Sequence, residues 1–333
     1  MTHRPTDPWT PTSRSAQSQA LFDLAEADRA ARPEAYELDP ERVATTAIER
    51  SPVAPLDHGY REGLAAYLNS AGADGRLNAV GTKVVLASAG GRLAARFRID
   101  ALAAEHPEIA ARTIDRPIFI IGGWRTGTTL LQRLMAAVPA VRAAYPAELS
   151  APWAAPHPSE GQRWQRFLDA SDAQAVLDSL NPTLRTVHPF GNREAEECVL
   201  AMGTDFQNWG FPSTVRLDSY AEWLKGRDFV DSYRRYATVL RILQGDAPTP
   251  WVLKAPAHTP ELAALLEVFP DACVIHLHRD VVDTVTSGCS LFAVFRSTYS
   301  EAVDPDTATI DETLAARLDH LNGQHGSHRY SLG

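Results

Sequence analysis

Pro117-Ile118-Phe119-Ile120-Ile121-Gly122-Gly123-Trp124-Arg125-Thr126-Gly127-Thr128-Thr129-Leu130-Leu131 is the stretch that decides the fold. It opens with a short, apolar, β-branched run entered through a proline, the pattern of a parallel strand buried on both faces. Glycines interrupt the run, and Thr128 to Met135 continue with helical spacing. A strand, a glycine-rich turn and a helix in this order form an anion cradle. Glycines let backbone N–H groups turn inward, and the helix start adds about half a positive charge. The string fits the nucleotide loop G-x-x-x-x-G-K-[ST] at Gly122, Gly127 and Thr129 but has Thr128 in the lysine position. Arg125 is the only full positive charge in it.

The alternation continues downstream. Trp251–Lys254 and Cys273–Leu277 read as strands, and Glu261–Val268 and Val281–Leu291 as helices. Thr259-Pro260 supplies an N-cap and a first-turn proline for the first of these helices. Strands alternating with helices imply an α/β fold with a parallel sheet, whose ligands sit at the carboxyl ends of the strands. Upstream the pattern is helical, with Leu21, Leu24 and Ala25, then Tyr60, Leu64, Tyr67 and Leu68, at helical spacing. Leu77, Val80, Val84, Leu93, Phe97 and Leu102 mark one long helix that Gly90 and Gly91 can bend or break. Helices joined by Pro-rich loops fill 145–245, one starting near Arg193 and one running from Asp228 to Gln244. The expected organisation is a disordered polar tail at 1–15, a helical section at 16–110 and an α/β core at 111–333. That core is a P-loop-like parallel sheet flanked by helices, with the helical section packed on it as one domain.

Composition narrows the function. The 333 residues are 44% hydrophobic and 22% charged, as in ordinary globular proteins. A net charge of −9 gives no basic field to attract nucleic acid or an anionic membrane, although a few local cations suffice for an anionic ligand. Cys198, Cys273 and Cys289 form no zinc pattern or disulfide framework and read as free thiols of a reducing compartment. His325 and His328 alone make no metal site. The opening residues lack a secretory h-region, and no apolar run reaches the roughly 18 residues of a membrane span. A cytoplasmic protein without a span is expected.

A second motif follows the last strand. His278-Arg279-Asp280-Val281 opens a helix, and Ser287 comes eight residues after Arg279. That spacing is about two turns, so a guanidinium fork and a hydroxyl can reach one anion together. The H-R-D string is not that of a protein kinase, because Val285 stands where the catalytic loop has Asn and no V-A-I-K lysine precedes it. Between the two motifs lie Leu253-Lys254-Ala255-Pro256-Ala257-His258 and Phe269-Pro270-Asp271-Ala272, with Lys254 at the carboxyl end of a strand.

These elements resemble the sulfotransferases that use 3′-phosphoadenosine 5′-phosphosulfate (PAPS), over about Leu77 to Leu291. The R-T-G-T-T loop is similar to their 5′-phosphosulfate loop, and Arg279 with Ser287 to their 3′-phosphate element. The L-K-x-P-x-H … F-P-x-A run resembles the bacterial and tyrosylprotein-type branch. The resemblance implies sulfuryl transfer by in-line displacement, with PAPS as co-substrate, adenosine 3′,5′-bisphosphate as product and no metal. It assigns Gly123, Trp124, Arg125, Thr126, Gly127, Thr128, Thr129, Arg279 and Ser287 to the nucleotide. Lys254 would meet the bridging oxygen of the leaving phosphate, with Arg125 beside it.

Such a reaction benefits from a base. Glu148, 23 residues after Arg125, stands where the tyrosylprotein and glycolipid branches carry theirs, and His188 where the steroid and phenol branch has its histidine. Glu194, Glu196 and Glu197 bind a cationic acceptor, face solvent on a helix start, or include the base at Glu197. His258 either bonds near the nucleotide or caps a turn. Trp124, in a position usually proline, stacks on the ligand or fills the loop. The acceptor is a hydroxyl or amine of a small molecule, glycan or lipid, in a pocket to which Trp153, Trp164, Phe190, Trp209 and Trp223 contribute unless they are core. Family members carry a further α/β stretch before a Gly-x-His-x-Tyr segment. Here Glu301–Asp306 runs almost directly into Gln324–Leu332. The expectation is therefore a shortened member, either active or binding nucleotide without turnover. A P-loop small-molecule kinase or ATPase is the remaining alternative, and would need Lys at 128 or a Walker-B acid.

Overall fold

The computed structural model describes residues 13–171, 173–246 and 248–300. The expectations for most of the N-terminal tail and for the segments after Ser300 lie outside these residues. Strands β1 (Ile118–Gly122), β2 (Val252–Lys254) and β3 (Cys273–Leu277) form a parallel sheet in the order β2-β1-β3. Ile118 pairs with both Val252 and Cys273, and Gly122 with Leu277. Alternation along β1 sends Phe119 and Ile121 into the main core. Ile120 joins Val252 in a second cluster beneath Leu131 and Met135. Both faces of the central strand β1 are covered, which is why the run at 118–121 is apolar without a break.

The helices that bear on the site and the core are α1 (Ala16–Ala31), α2 (Pro40–Arg50), α3 (Arg61–Asp74), α4 (Ala79–Glu105), α5 (Thr128–Ala136), α6 (Asp218–Lys225), α7 (Val230–Gln244), α8 (Leu262–Val268) and α9 (Val281–Tyr299). α4 runs unbroken through Gly90 and Gly91. The Asn78 side chain caps it by accepting from the Gly81 amide at 2.7 Å, and it packs along α1, α2 and α9. Tertiary packing here outweighs the low helix propensity of the glycine pair. Tyr67, Leu93 and Phe97 share the main core with Phe119, Trp209, Tyr233 and Trp251. Among the described residues no helix is long and apolar enough to cross a membrane.

The structure shows which face α1 buries and corrects two local expectations. Leu21 and Leu24 are 39% and 68% exposed, because α1 turns Ser18 and Phe22 inward instead; the Ser18 hydroxyl donates to the Leu180 carbonyl at 2.6 Å. No helix starts near Arg193. The Glu196 amide donates to the Ala144 carbonyl at 3.2 Å and its carbonyl accepts from Gln132 Nε2 at 3.0 Å, so its backbone is committed to neighbouring segments. Finally, Thr259 does not cap α8. Glu261 takes that position, and Thr259 Oγ1 accepts from the Gly122 amide at 3.1 Å, tying the end of β1 to the turn after β2.

Candidate active site

The turn between β1 and α5 is possible only with its glycines. Gly122 has φ +140°, and a Cβ there would lie 2.5 Å from the Leu277 carbonyl oxygen; Gly127 has φ +94°. Arg125 adopts φ +63°, a conformation that costs a non-glycine residue about 1 kcal/mol or more. Two bonds hold it there: Arg125 Nη1 donates to the Val187 carbonyl at 2.7 Å, and Arg279 Nη1 donates to the Arg125 carbonyl at 3.1 Å. The first ladder bond of α5 comes from the Leu131 amide to Gly127. The amides of Thr128, Thr129 and Leu130 therefore precede the ladder and open toward the loop.

Lys254 ends β2 and is 1% exposed, with Nζ donating to Thr129 Oγ1 at 3.0 Å and to Glu197 Oε1 at 2.7 Å. Arg279 follows β3 and also lies 3.4 Å from Asp283. No bond joins it to Ser287, two turns along α9. Thr284 and Gly288 of that helix do meet the loop: a Cβ on Gly123 would lie 2.8 Å from Thr284 Cγ2, and one on Gly288 3.6 Å from Trp124. Ser287 lies on the edge of this face. Trp124 packs edge-to-face on Phe292 at 4.9 Å, so it fills the space between loop and helix while lining the cavity.

That cavity, of about 410 Å³, brings Arg125, Thr128 and Thr129 together with Arg133, His188, Glu197 and Arg279. The acidic run is divided among three partners. Glu194 pairs with Arg133 at 2.6 Å, Glu196 faces His188 at 3.7 Å, and Glu197 holds Lys254. Burial works against the charged imidazole of His188, but the carboxylates of Glu196 and Glu197 outweigh it and raise its pKa above the ordinary histidine value. His188 is thus biased toward the imidazolium. Arg133 was not singled out from the sequence. Arg133 lies one turn after Thr129 on the same face of α5, a spacing that would have flagged it.

The structure places Glu148 elsewhere. It is fully buried: Oε1 accepts from Arg142 Nη2 at 3.0 Å and from Trp164 Nε1 at 2.9 Å, and Oε2 from the Tyr145 amide at 3.1 Å. Arg142 in turn stacks over Trp251 and donates to the Leu243 carbonyl. This carboxylate fastens the segment after α5 to the core and does not line the cavity. Replacing Glu148 with alanine strands a buried guanidinium and should cost about 3–5 kcal/mol of unfolding free energy. Urea titration checks this, and a loss below about 1 kcal/mol would contradict it.

His258 is also structural. It is fully buried, with Nδ1 2.9 Å from the Tyr233 hydroxyl and the ring edge-on to Phe119. Burial, then the Lys254 charge, depresses its pKa to about 3. The folded protein keeps it neutral, so its contribution is fully present above pH 6.5 and is lost as the pH falls toward 3. A slope of about 1.4 kcal/mol per pH unit is expected from it alone in that window. His258→Gln should remove that slope in urea titrations between pH 6.5 and 4, and identical slopes would contradict the assignment. Of Trp153, Trp164, Phe190, Trp209 and Trp223, none lines the cavity; Trp209 is core and donates to Glu261 at 2.7 Å.

Comparison with known proteins adds three findings. A profile of the family described as "Sulfotransferase family" matches residues 117–330. The omega-hydroxy-beta-dihydromenaquinone-9 sulfotransferases Stf3 of Mycobacterium bovis and Mycobacterium tuberculosis are each 30% identical over 180 residues, which is 50% of this chain and 42% of theirs. The chain thus covers less than half of these curated relatives. The crystal structure of sulfotransferase STF1 from M. tuberculosis H37Rv superposes with TM-score 0.71 at 26% identity, covering 87% of this chain and 81% of that one. STF9 from Mycobacterium avium gives 0.72 at 26% identity, covering 87% of this chain and 76% of that one.

Proposed function

This chain belongs to the sulfotransferase family, and from that premise we propose that it transfers a sulfuryl group from PAPS to the hydroxyl of an apolar acceptor. One observation carries the proposal: the amide-rich start of α5, Arg125 and Arg279 share a cavity with Glu197, and Lys254 joins Thr129 to that carboxylate. Four features suit a nucleotide with two anionic ends, namely the loop amides, the Lys254 ammonium and the two guanidinium groups. PAPS supplies the sulfuryl group: the acceptor oxygen–sulfur bond forms as the bond from sulfur to the 5′-phosphate oxygen breaks. Glu197 takes the acceptor proton, and Lys254 and the loop amides meet the charge that gathers on the leaving phosphate. His188, biased toward its charged form, orients Glu196 and lines the acceptor side.

Trp124, Leu130 and Leu291 give the cavity apolar walls. They suit the apolar body of a lipid-like alcohol, the class carried in the names of the Stf3 relatives. We further read the helical section and the α/β core as one folding unit, since both contribute to the main apolar cluster. The reading is tested by incubating the protein with PAPS and a panel of long-chain alcohols, phenols and sugars while following release of adenosine 3′,5′-bisphosphate. Release stimulated by the apolar alcohols is expected. Tight bisphosphate binding with no release for any acceptor would replace transfer by nucleotide binding alone.

A further inference from the structure

A second cavity, half-open and of about 450 Å³, lies in the helical section between α2 and α4, away from the nucleotide loop. Its floor is a stripe of α4 at four-residue spacing: Leu86, Gly90, Ala94 and Arg98. The two small residues leave the space between α2 and α4 unfilled, and a Cβ built on Gly90 meets nothing within 4 Å. Val43 and Ala47 of α2 form the facing apolar wall.

Onto this apolar floor the fold brings three arginines and no lining acid: Arg42, Arg50 and Arg98. Arg42 is engaged by the backbone carbonyls of Glu34 and Glu37 and pairs with the Glu37 carboxylate at 3.7 Å, which leaves Arg50 and Arg98 for a ligand. Among the described residues, Arg50 and Arg98 have no carboxylate within ion-pair distance. Arg98 lies over the Trp153 ring at 5.3 Å, and its Nε–H is buried without an acceptor. A guanidinium stacked on an aromatic ring keeps its N–H edge for a planar anion, and a buried donor with no acceptor is a group waiting for one. In a chain of net charge −9, two guanidinium groups without a carboxylate partner on one cavity stand out.

We propose that this cavity is a binding site for a small amphiphilic anion, whose apolar body lies along Gly90 and Ala94 and whose carboxylate, sulfate or phosphate head is held by Arg98 and Arg50. Its volume falls within the range of small-molecule pockets. The site is separate from the proposed transfer site, and its occupancy does not depend on turnover.

The test uses the full chain and isothermal titration with decanoate and decyl sulfate, with 1-decanol and inorganic sulfate as the two half-ligands. Saturable one-site binding of either decyl anion is expected, at least tenfold tighter than decanol or sulfate alone. Arg98→Gln should weaken it tenfold or more, and Gly90→Leu, which fills the cavity, should abolish it. Leucine improves helix propensity at that position and its Cβ meets nothing within 4 Å, so this variant should keep its fold, which its far-UV circular dichroism checks. Unchanged affinity for adenosine 3′,5′-bisphosphate in both variants shows that the nucleotide cavity is intact. Decanol binding as tightly as the anions would overturn the proposal, and so would anion binding that survives Gly90→Leu or is displaced by the bisphosphate. Binding to anionic phosphatidylglycerol vesicles with no saturable decanoate binding would overturn it in favour of a membrane contact.

Discussion

Replacing Glu197 with glutamine is expected to lower kcat/KM for sulfuryl transfer by about 10²–10⁴, the range a positioned general base contributes. Glutamine keeps the size of the side chain and can still meet Lys254 through its amide oxygen, so the fold should survive. The amide cannot take the acceptor proton. Bisphosphate affinity should be unchanged or slightly tighter, because a negative charge beside the ammonium has been removed. A variant that loses activity only through KM, with kcat unchanged, would show that Glu197 holds the acceptor rather than its proton.

Lys254→Met is expected to reduce kcat by about 10²–10³, the effect of removing one donor aimed at charge that develops in the transition state. Methionine occupies the same buried channel at the end of β2, where Lys254 is 1% exposed, and packs against Ile120 of the paired strand. Glu197 retains partial exposure at 22%, so losing its partner should cost little stability. Because the two side chains are bonded at 2.7 Å, their effects should not add. The double variant should be only slightly worse than the poorer single one, with a coupling of about 0.5–3 kcal/mol. Strict additivity would mean that the lysine and the carboxylate act on separate steps.

What the sequence disclosed and what it hid follow one division. The strand–loop–helix at 117–135 was legible because its signals are local: an apolar run without alternation, and glycines where the chain must turn with positive φ. The same holds for β2, β3 and the long helix α4. The fate of each carboxylate was not legible. Counting 23 residues from Arg125 to Glu148 cannot reveal that Arg142 turns back onto it, since that contact depends on Arg142 lying beside Trp251 across the sheet. Nor does the run Glu194–Glu197, which has helical composition, disclose that the Glu196 backbone is bonded to Ala144 and Gln132. Those tertiary bonds spread the three acids onto three partners. Leu21 and Leu24 illustrate the same limit, because periodicity identified a helix without showing which face α1 buries.

The loop, Lys254 and Arg279 make up the proposed site for a 3′,5′-bisphosphorylated adenosine nucleotide. Thermal and urea unfolding with and without adenosine 3′,5′-bisphosphate test it most directly, with ATP as control. At 100 times its Kd the bisphosphate should add about 2.7 kcal/mol of stability. That gain is expected for the wild-type chain, with its loss in Arg279→Ala and no comparable gain with ATP. A well-folded chain that gains nothing from the bisphosphate, or gains as much from ATP, would contradict it.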